Sequence, residues 1–195
     1  MTITSLDQLD LSKQYTFSDY LKWKITDRLE LIRGYVRQMA APSREHQDIS
    51  RNLNHFIDMH FWGKSCSYYT APFDVRIPRF DNVLQKEIIT VVQPDICVIC
   101  DEKKLDKKGC LGAPDLIVEI LSPGNSKKEM REKFEIYEES GVKEYWIVNV
   151  MDKNVLIYTL NEMGKFIGQR PYVEDEIMNS FAFPELSVDL NQVFV

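Results

Sequence analysis

The sequence predicts an α+β protein, within the broad α/β class, in which a mixed central sheet is flanked by helices. Apolar residues recur at helical spacing between residues 43 and 62 and again between 126 and 141. Two apolar runs of strand character lie between these helices, in segments 88–100 and 116–121. With a strand before them, in segment 67–77, and a hairpin after the second helix, the expected order is helix, three strands, helix and two strands. An added N-terminal hairpin precedes this core.

The chain of 195 residues is expected to form a single domain covering residues 1–195. Residues 1–15 are polar and are predicted to be a loosely packed lead-in. No apolar run approaches the roughly 20 residues that a membrane-spanning helix needs. The N-terminus has neither a basic segment nor an apolar one, so we expect a cytoplasmic protein that is neither secreted nor bound to a membrane.

The formal net charge of −6 bears on the choice of partner. Proteins that bind nucleic acids usually carry a basic surplus, so this charge argues against broad, non-specific affinity for DNA. It leaves room for a local basic rim around an acidic site.

Two helices are predicted in the N-terminal third. Thr16 is a candidate N-cap for a short helix that reaches about Lys24, and Ser43 for a long helix that reaches about Trp62. The long helix has one apolar stripe, which is expected to face the core and contains Ile49, Leu53, Phe56, Ile57 and Phe61.

Two polar residues near these helices are candidates for the interior. Arg33-Gly34 is predicted to be a hairpin turn, which places Glu30 and Ile32 on one face of the first strand. Glu30 is then either an interior group or a surface glutamate on an edge strand. His46 lies on the apolar stripe of the long helix, and the helix N-terminus should keep it mostly neutral. A hydrogen-bonded core histidine and a site residue are both consistent with this position.

Each of the two apolar strands carries one acidic residue in its interior, Asp95 in Ile88 to Cys100 and Glu119 in Leu116 to Leu121. The charged segment 101–109 between them is predicted to be a hairpin loop whose lysines face solvent, although DNA contact is an alternative. If it is a hairpin, the two strands pair, and Asp95 and Glu119 can lie side by side on one face.

The second helix combines an apolar face with one lysine. Ser126 and Glu129 form a candidate capping box at its start, and Gly141 is its predicted end. Lys133 falls inside the apolar arc, which contains Met130, Phe134, Ile136 and Tyr137.

The four cysteines, Cys66, Cys97, Cys100 and Cys110, do not form a recognisable metal motif. Cys97-x-x-Cys100 has the spacing of half a zinc site, but residues three apart on a strand point to opposite faces. All four are therefore expected to be buried, reduced thiols.

Two buried acids and a lysine that converge from separate elements suggest a metal site. Two carboxylates about 4 Å apart repel each other by about 4 kcal/mol at an effective dielectric constant near 20, and a divalent cation reverses the sign of that energy. Oxygen ligands suit Mg²⁺ or Mn²⁺, and Lys133 could orient the attacking water. The alternative is a buried salt bridge between Lys133 and Glu119, with Asp95 capping a backbone group. The convergence of three charged groups favours the functional interpretation.

Six motifs in this sequence resemble those of the Uma-two family, which belongs to the PD-(D/E)XK superfamily of restriction-endonuclease-like proteins. The resemblance extends from about residue 16 to the end of the chain. The motifs are Val92-Gln93-Pro94-Asp95, Gly112-Ala113-Pro114-Asp115-Leu116-Ile117-Val118-Glu119-Ile120-Leu121-Ser122-Pro123, Lys133-x-x-x-Tyr137, Gly141-Val142-Lys143-Glu144-Tyr145-Trp146-Ile147-Val148, Glu30-Leu31-Ile32-x-Gly34 and Pro42-Ser43-x-x-His46.

This resemblance implies a restriction-endonuclease-like αβββαβ core and Mg²⁺-dependent hydrolysis of phosphodiester bonds in DNA, by a homodimer. Asp95 and Glu119 match the motif acids, which bind the metal, and Glu30 is expected to be a third metal ligand. The position of the usual lysine holds Leu121, so Lys133 is interpreted as a migrated equivalent. His46 is expected to line the site.

Two other functions remain compatible with the sequence. One is a non-catalytic module that keeps the fold and binds nucleic acid or a protein partner, which the missing lysine and the acidic net charge suggest. The other is a hydrolase that acts on small phosphoesters.

Overall fold

The computed structural model of the chain describes residues 2–79, 84, 87–122 and 127–195. The helices are α1 (Phe17–Tyr20), α2 (Arg44–Phe61), α3 (Lys127–Ser140) and α4 (Leu190–Val193). The strands are β1 (Leu29–Ile32), β2 (Tyr35–Gln38), β3 (Ser67–Thr70), β4 (Val75–Arg76), β5 (Val91–Val92), β6 (Ile96–Ile99), β7 (Leu105–Asp106), β8 (Gly109–Leu111), β9 (Leu116–Leu121), β10 (Glu144–Asn149), β11 (Asn154–Leu160), β12 (Phe166–Gly168), β13 (Tyr172–Val173), β14 (Ile177–Asn179) and β15 (Ser187–Asp189).

The central sheet has the strand order β12-β11-β10-β9-β6-β3, and β13 also pairs with β11. β9 and β10 are parallel and are connected through α3, whereas the other pairs in this sheet are antiparallel. The succession α2, β3, β6, β9, α3, β10 is the predicted αβββαβ core. The prediction of a mixed sheet flanked by helices is confirmed.

The side chains of each central strand alternate between the two faces of the sheet and so form two layers of core. In β6, Ile96 and Val98 pack with the stripe of α2, whereas Cys97 and Ile99 pack with the apolar side of α3. Successive side chains of a strand point to opposite faces, so the two helices cover opposite faces of the sheet. Burial of apolar side chains on both faces holds the central strands in place.

A second sheet, with the order β2-β1-β5-β4-β8-β7, lies beside the central one. Its hairpin turns at Arg33 and Gly34, which both have positive φ, as the predicted turn requires. Residues before α1 pack more firmly than expected: Leu9 is buried in the same cluster as Phe17 and Leu31. Leu9 therefore attaches the lead-in to the core of this sheet, although most other residues of the lead-in are exposed or half-buried.

Two predicted strands are each divided between the two sheets. The strand predicted for 67–77 is interrupted after Thr70, where the Ala71–Pro72 peptide is cis, and the strand predicted from Ile88 to Cys100 is interrupted at residues 93–95. Proline has no N–H to donate to a ladder, so Pro72 and Pro94 end one strand before the chain enters the other sheet.

The charged segment 101–109 is more regular than predicted, since it contains a short 3₁₀ helix and the turn of the β7–β8 hairpin.

The helix boundaries agree with the predictions except in α1, which ends at Tyr20, short of Lys24. Ser43 caps α2 by accepting a hydrogen bond from the N–H of His46. α3 ends before Gly141, whose φ of +86° suits a glycine. The predicted N-cap of α3, Ser126, lies outside the described residues.

The prediction of four reduced thiols is wrong for one pair, because Cys66 and Cys100 form a disulfide. Ser67 lies opposite Ile99 in the β3–β6 pair, and continuing this register by one residue sets Cys66 opposite Cys100, with their Cα atoms 4.0 Å apart. Cys97 and Cys110 are free and buried, as predicted.

Within the part of the chain that the structure describes, no helix has the length and apolar character that crossing a membrane would require.

Candidate active site

Asp95 and Glu119 occupy facing positions on neighbouring strands. β6 and β9 pair antiparallel with Ile96 opposite Val118, and continuing this register by one residue sets Asp95 opposite Glu119. The predicted pairing of the two acids is therefore observed. Both side chains are mostly buried, with 16 % of Asp95 and 12 % of Glu119 exposed.

Asp95 is held through one carboxylate oxygen. Its Oδ2 accepts a hydrogen bond of 2.8 Å from the N–H of Ile120, and Nε2 of His46 lies 3.2 Å from the same oxygen. The backbone of β9 and the first turn of α2 thus fix this carboxylate from two sides.

Glu119 is also held through one oxygen. Its Oε1 accepts a hydrogen bond of 2.6 Å from the hydroxyl of Tyr137 and one of 3.1 Å from Nζ of Lys133. Burial raises the pKa of Glu119 to about 7; the Lys133 charge opposes this effect, and the charges of Asp95 and Glu30 add to it.

Lys133 is shared by two carboxylates. Its Nζ lies 3.0 Å from Oε1 of Glu30 and 3.1 Å from Oε1 of Glu119, and only 8 % of its side chain is exposed. Burial opposes its charge, but the two carboxylates outweigh burial and hold the pKa of Lys133 above its ordinary value. Lys133 is therefore a buried ammonium, and its predicted place beside Glu119 is observed.

Glu30 reaches the cluster from β1 in the second sheet. It is buried, as one of the two sequence interpretations expected, and its Oε1 accepts a hydrogen bond of 2.8 Å from the N–H of Gln93. That N–H is free to bind a side chain because the chain leaves β5 at Gln93, before Pro94. Whether Glu30 ligates a metal remains a prediction, since its observed partners are Lys133 and a backbone N–H.

His46 joins the site through Asp95. Burial lowers the pKa of His46, but the hydrogen bond and charge of Asp95 outweigh burial and hold the pKa above its ordinary value. The helix N-terminus alone predicted a pKa shift in the opposite direction. The carboxylate of Asp95, which reverses the shift, comes from a distant part of the chain and was not visible when the helix alone was considered.

Two residues with clear roles were not predicted. The sequence analysis places Tyr137 in an apolar arc and in the motif Lys133-x-x-x-Tyr137 without a role, yet its hydroxyl donates to the same oxygen as Lys133 does. The spacing Lys133-x-x-x-Tyr137 places the two donors one helical turn apart, and this signal could have identified Tyr137. Gln93 binds Glu30 through its backbone, and its side chain donates to Asp74.

The carboxylate pair offers oxygen atoms, the type of ligand that Mg²⁺ and Mn²⁺ prefer. In the described part of the chain, no residue donates a hydrogen bond to Oδ1 of Asp95 or Oε2 of Glu119. Among these residues, no three acidic, histidine or cysteine side chains stand together as a metal-holding group. Mg²⁺ commonly uses only one or two carboxylates and completes its shell with water, so two acids suffice.

An αβββαβ core with facing acids on two paired strands, and a lysine on the helix that follows them, defines a restriction-endonuclease-like protein. The chain belongs to the Uma2 family, described as "Putative restriction endonuclease", whose pattern matches residues 17–191.

The chain is also similar to individual proteins. It is 24 % identical over 152 residues to the uncharacterized protein slr1290 of Synechocystis, with 76 % of each chain covered. It is 22 % identical over 181 residues to the uncharacterized protein sll1609 of the same organism, covering 90 % of this chain and 94 % of the relative. A crystal structure described as a "putative nuclease belonging to DUF820" from Anabaena variabilis superimposes with a TM-score of 0.72 at 19 % identity, covering 92 % of this chain and 97 % of that one. The similarity to this structure establishes a common fold.

Proposed function

We propose that the protein is a metal-dependent endonuclease that hydrolyses phosphodiester bonds of DNA. One observation carries the proposal: Asp95 and Glu119 face each other, and each is held through one oxygen while the other oxygen accepts no bond from a described residue. Membership of a family described as "Putative restriction endonuclease" supports the reaction class.

Asp95 and Glu119 would hold Mg²⁺ or Mn²⁺ between them. When bound, such an ion supplies positive charge at the scissile phosphate and favours deprotonation of the attacking water. Ile120 and His46 would keep the Asp95 carboxylate in a fixed orientation. Glu30 could become a third ligand only by releasing Lys133 or by using its second oxygen.

Lys133 would have two tasks in this proposal. Its ammonium holds Glu119 in place from 3.1 Å, and it places a buried positive charge beside the acids, where negative charge develops on the phosphate during cleavage. A charge that is fixed before the reaction does not need to reorganise during it, which makes it more effective than a mobile surface lysine.

The proposal also includes DNA as the substrate and a homodimer as the oligomeric state. The choice of DNA follows the description of the family, and the net charge of −6 implies that contact with DNA depends on local basic side chains. The homodimer follows the family resemblance alone.

Nicking of supercoiled plasmid DNA tests this function. We expect the wild-type protein to nick the plasmid in Mg²⁺ or Mn²⁺ and to lose this activity in a chelator, and we expect Asp95→Ala to be inactive. Asp152→Asn, which removes an exposed acid from the turn between β10 and β11, is the matched control and should keep full activity. Equal nicking by the wild type and Asp95→Ala would contradict the proposal.

A non-catalytic module that binds nucleic acid or a protein is the second candidate. Lys133 already pairs with both Glu30 and Glu119, and Leu121 replaces the lysine that the family motif normally carries, so the cluster also resembles a closed salt bridge. Calorimetry separates the two candidates. Absence of Mg²⁺ and Mn²⁺ binding at millimolar concentrations would favour the module.

A further inference from the structure

A polar pocket opens beside Asp95, between the first turns of α2 and the end of β3. Its volume is about 210 Å³, below the range of about 300–1,000 Å³ that is usual for pockets of whole small-molecule ligands. We call it the α2 pocket, and the lining residues that matter here are Arg28, His46, Arg51, Asn54, Thr70 and Asp95.

Unsatisfied polar atoms are concentrated around this pocket. The described part of the chain has four buried side-chain atoms without a hydrogen-bond partner, and three of them belong to Arg28 (Nη2), His46 (Nδ1) and Asn54 (Oδ1). Buried polar groups normally have partners, because leaving them unpaired costs stability. Their concentration at one pocket indicates a place where the protein gives up stability for a polar ligand.

The charges of the lining favour an anion. Two arginines and a histidine surround the pocket, against the single acid Asp95 at its edge. Nε of Arg28 donates to Oε1 of Gln93 at 3.3 Å, which anchors the guanidinium while Nη2 keeps no protein acceptor among the described residues. A guanidinium held in this way can turn its free edge to phosphate oxygens, for which its geometry is suited.

Arg51 can supply a second cation from the rim. Its guanidinium currently bonds Asp48 and Asn52 on the same helix, and 70 % of its side chain is exposed. Exposed pairs of this kind contribute little to stability, so Arg51 can move to an anion in the pocket at small cost.

We infer that the α2 pocket is a subsite for a backbone phosphate of a nucleic acid, next to the phosphodiester that is cleaved. This inference rests on the proposed nuclease function. Because Asp95 belongs to both the carboxylate pair and the lining of the pocket, a phosphate held there lies beside the reacting one and fixes the position of the strand. Phosphate contacts of this kind position a nucleic acid without reading its sequence.

Binding of thymidine 3′,5′-bisphosphate, measured by calorimetry in a chelator, tests the subsite without metal or catalysis. We expect the bisphosphate to bind at least about tenfold more tightly than thymidine, because charge-assisted hydrogen bonds to Arg28 add to the affinity. Arg28→Met should lose about tenfold in affinity. Arg44→Met is the matched control, since Arg44 lies on α2, whose first turns border the pocket, but has 90 % of its side chain exposed and does not line the pocket, and it should bind as the wild type does.

Thermal unfolding supplies a second measurement. Without ligand, Arg28→Met should unfold at about the same temperature as the wild type, because removal of the unpartnered donor Nη2 offsets the loss of the hydrogen bond from Nε to Gln93. If Arg28→Met does not fold, Arg28→Gln takes its place. Unchanged bisphosphate affinity in the Arg28 variant would overturn the inference, and so would equal affinity for thymidine. Inorganic phosphate that binds as tightly as the bisphosphate would overturn the assignment to a nucleic-acid chain.

The failures of the two proposals are distinguishable. A wild-type protein that nicks plasmid DNA but binds no bisphosphate loses the subsite and keeps the nuclease function. A protein that binds the bisphosphate through Arg28 but nicks equally well after Asp95→Ala keeps a phosphate pocket and loses the proposed catalytic site.

Discussion

Two buried glutamates on adjacent parallel strands have opposite bonding patterns. Glu144 on β10 is completely buried, and both of its oxygens are used: Oε1 accepts from Nε1 of Trp146, and Oε2 accepts from the hydroxyl of Ser180 and the N–H of Ala182. Glu119 on β9 receives its two donors on a single oxygen, Oε1.

The difference shows that burial of a carboxylate does not by itself mark a functional site. Glu144 ties the start of β10 to the C-terminal segment, and its donors occupy both carboxylate oxygens. Glu119 keeps one oxygen without a described donor, beside a second acid that is held in the same one-sided way. The distribution of donors over the two oxygens separates a structural carboxylate from a candidate ligand.

The largest effect is expected from Lys133→Met. This change leaves Glu30 and Glu119 buried without their cation, so the free energy of unfolding should fall by about 3–5 kcal/mol, measured by urea titration. Lys128→Met, on an exposed side of the same helix, is the control and should change little. A Lys133→Met protein as stable as the wild type would show that the two acids do not depend on the lysine.

Glu144→Gln should come next, and it should affect stability alone. An amide in place of the carboxylate turns one acceptor oxygen into a donor that faces donors, which should cost about 2 kcal/mol of unfolding free energy. Plasmid nicking by the folded variant should equal that of the wild type. A strong loss of nicking with unchanged stability would reverse the roles assigned to the two glutamates.

Tyr137→Phe should have a smaller effect. It removes the shorter of the two hydrogen bonds to Glu119 while Lys133 remains, so the free energy of unfolding should fall by about 1 kcal/mol. Tyr158→Phe, at a neighbouring aromatic position, serves as the control. A positioning role for Tyr137 also predicts weaker Mn²⁺ binding in Tyr137→Phe, which a purely structural role would leave unchanged.

Asp74→Asn should have the smallest effect, and it should depend on pH. Asp74 accepts a hydrogen bond from the Gln93 side chain, but burial raises its pKa above the ordinary value of 3.8. A raised pKa means that the folded state binds the proton more tightly than the unfolded state does. The contribution of Asp74 to stability is therefore greatest at pH values below 3.8 and declines as the pH rises. Denaturation series between pH 4 and 7 should therefore show the variant gaining stability relative to the wild type as the pH rises; a fall would contradict this account.

The sequence predicted the αβββαβ order, the facing acids and the lysine beside Glu119. The periodicity of apolar residues predicts the helices and strands. The hairpin connection between the two strands that carry the acids imposes their antiparallel pairing, which brings the acids together. The changes of sheet at Pro72 and Pro94 were missed, because alternation along the sequence continues across both breaks. The Cys66–Cys100 disulfide, the contact between Glu30 and Lys133 and the raised pKa of His46 all depend on registers between distant segments, which periodicity does not encode.

A titration with Mn²⁺, followed by electron paramagnetic resonance, tests most directly whether the free oxygen of Glu119 makes a metal site. We expect the wild type and Glu144→Gln to bind Mn²⁺ with equal affinity, and Glu119→Gln to bind at least about tenfold more weakly. Equal Mn²⁺ binding by Glu119→Gln and the wild type would contradict the account, as would a wild-type protein that does not bind Mn²⁺ at millimolar concentration.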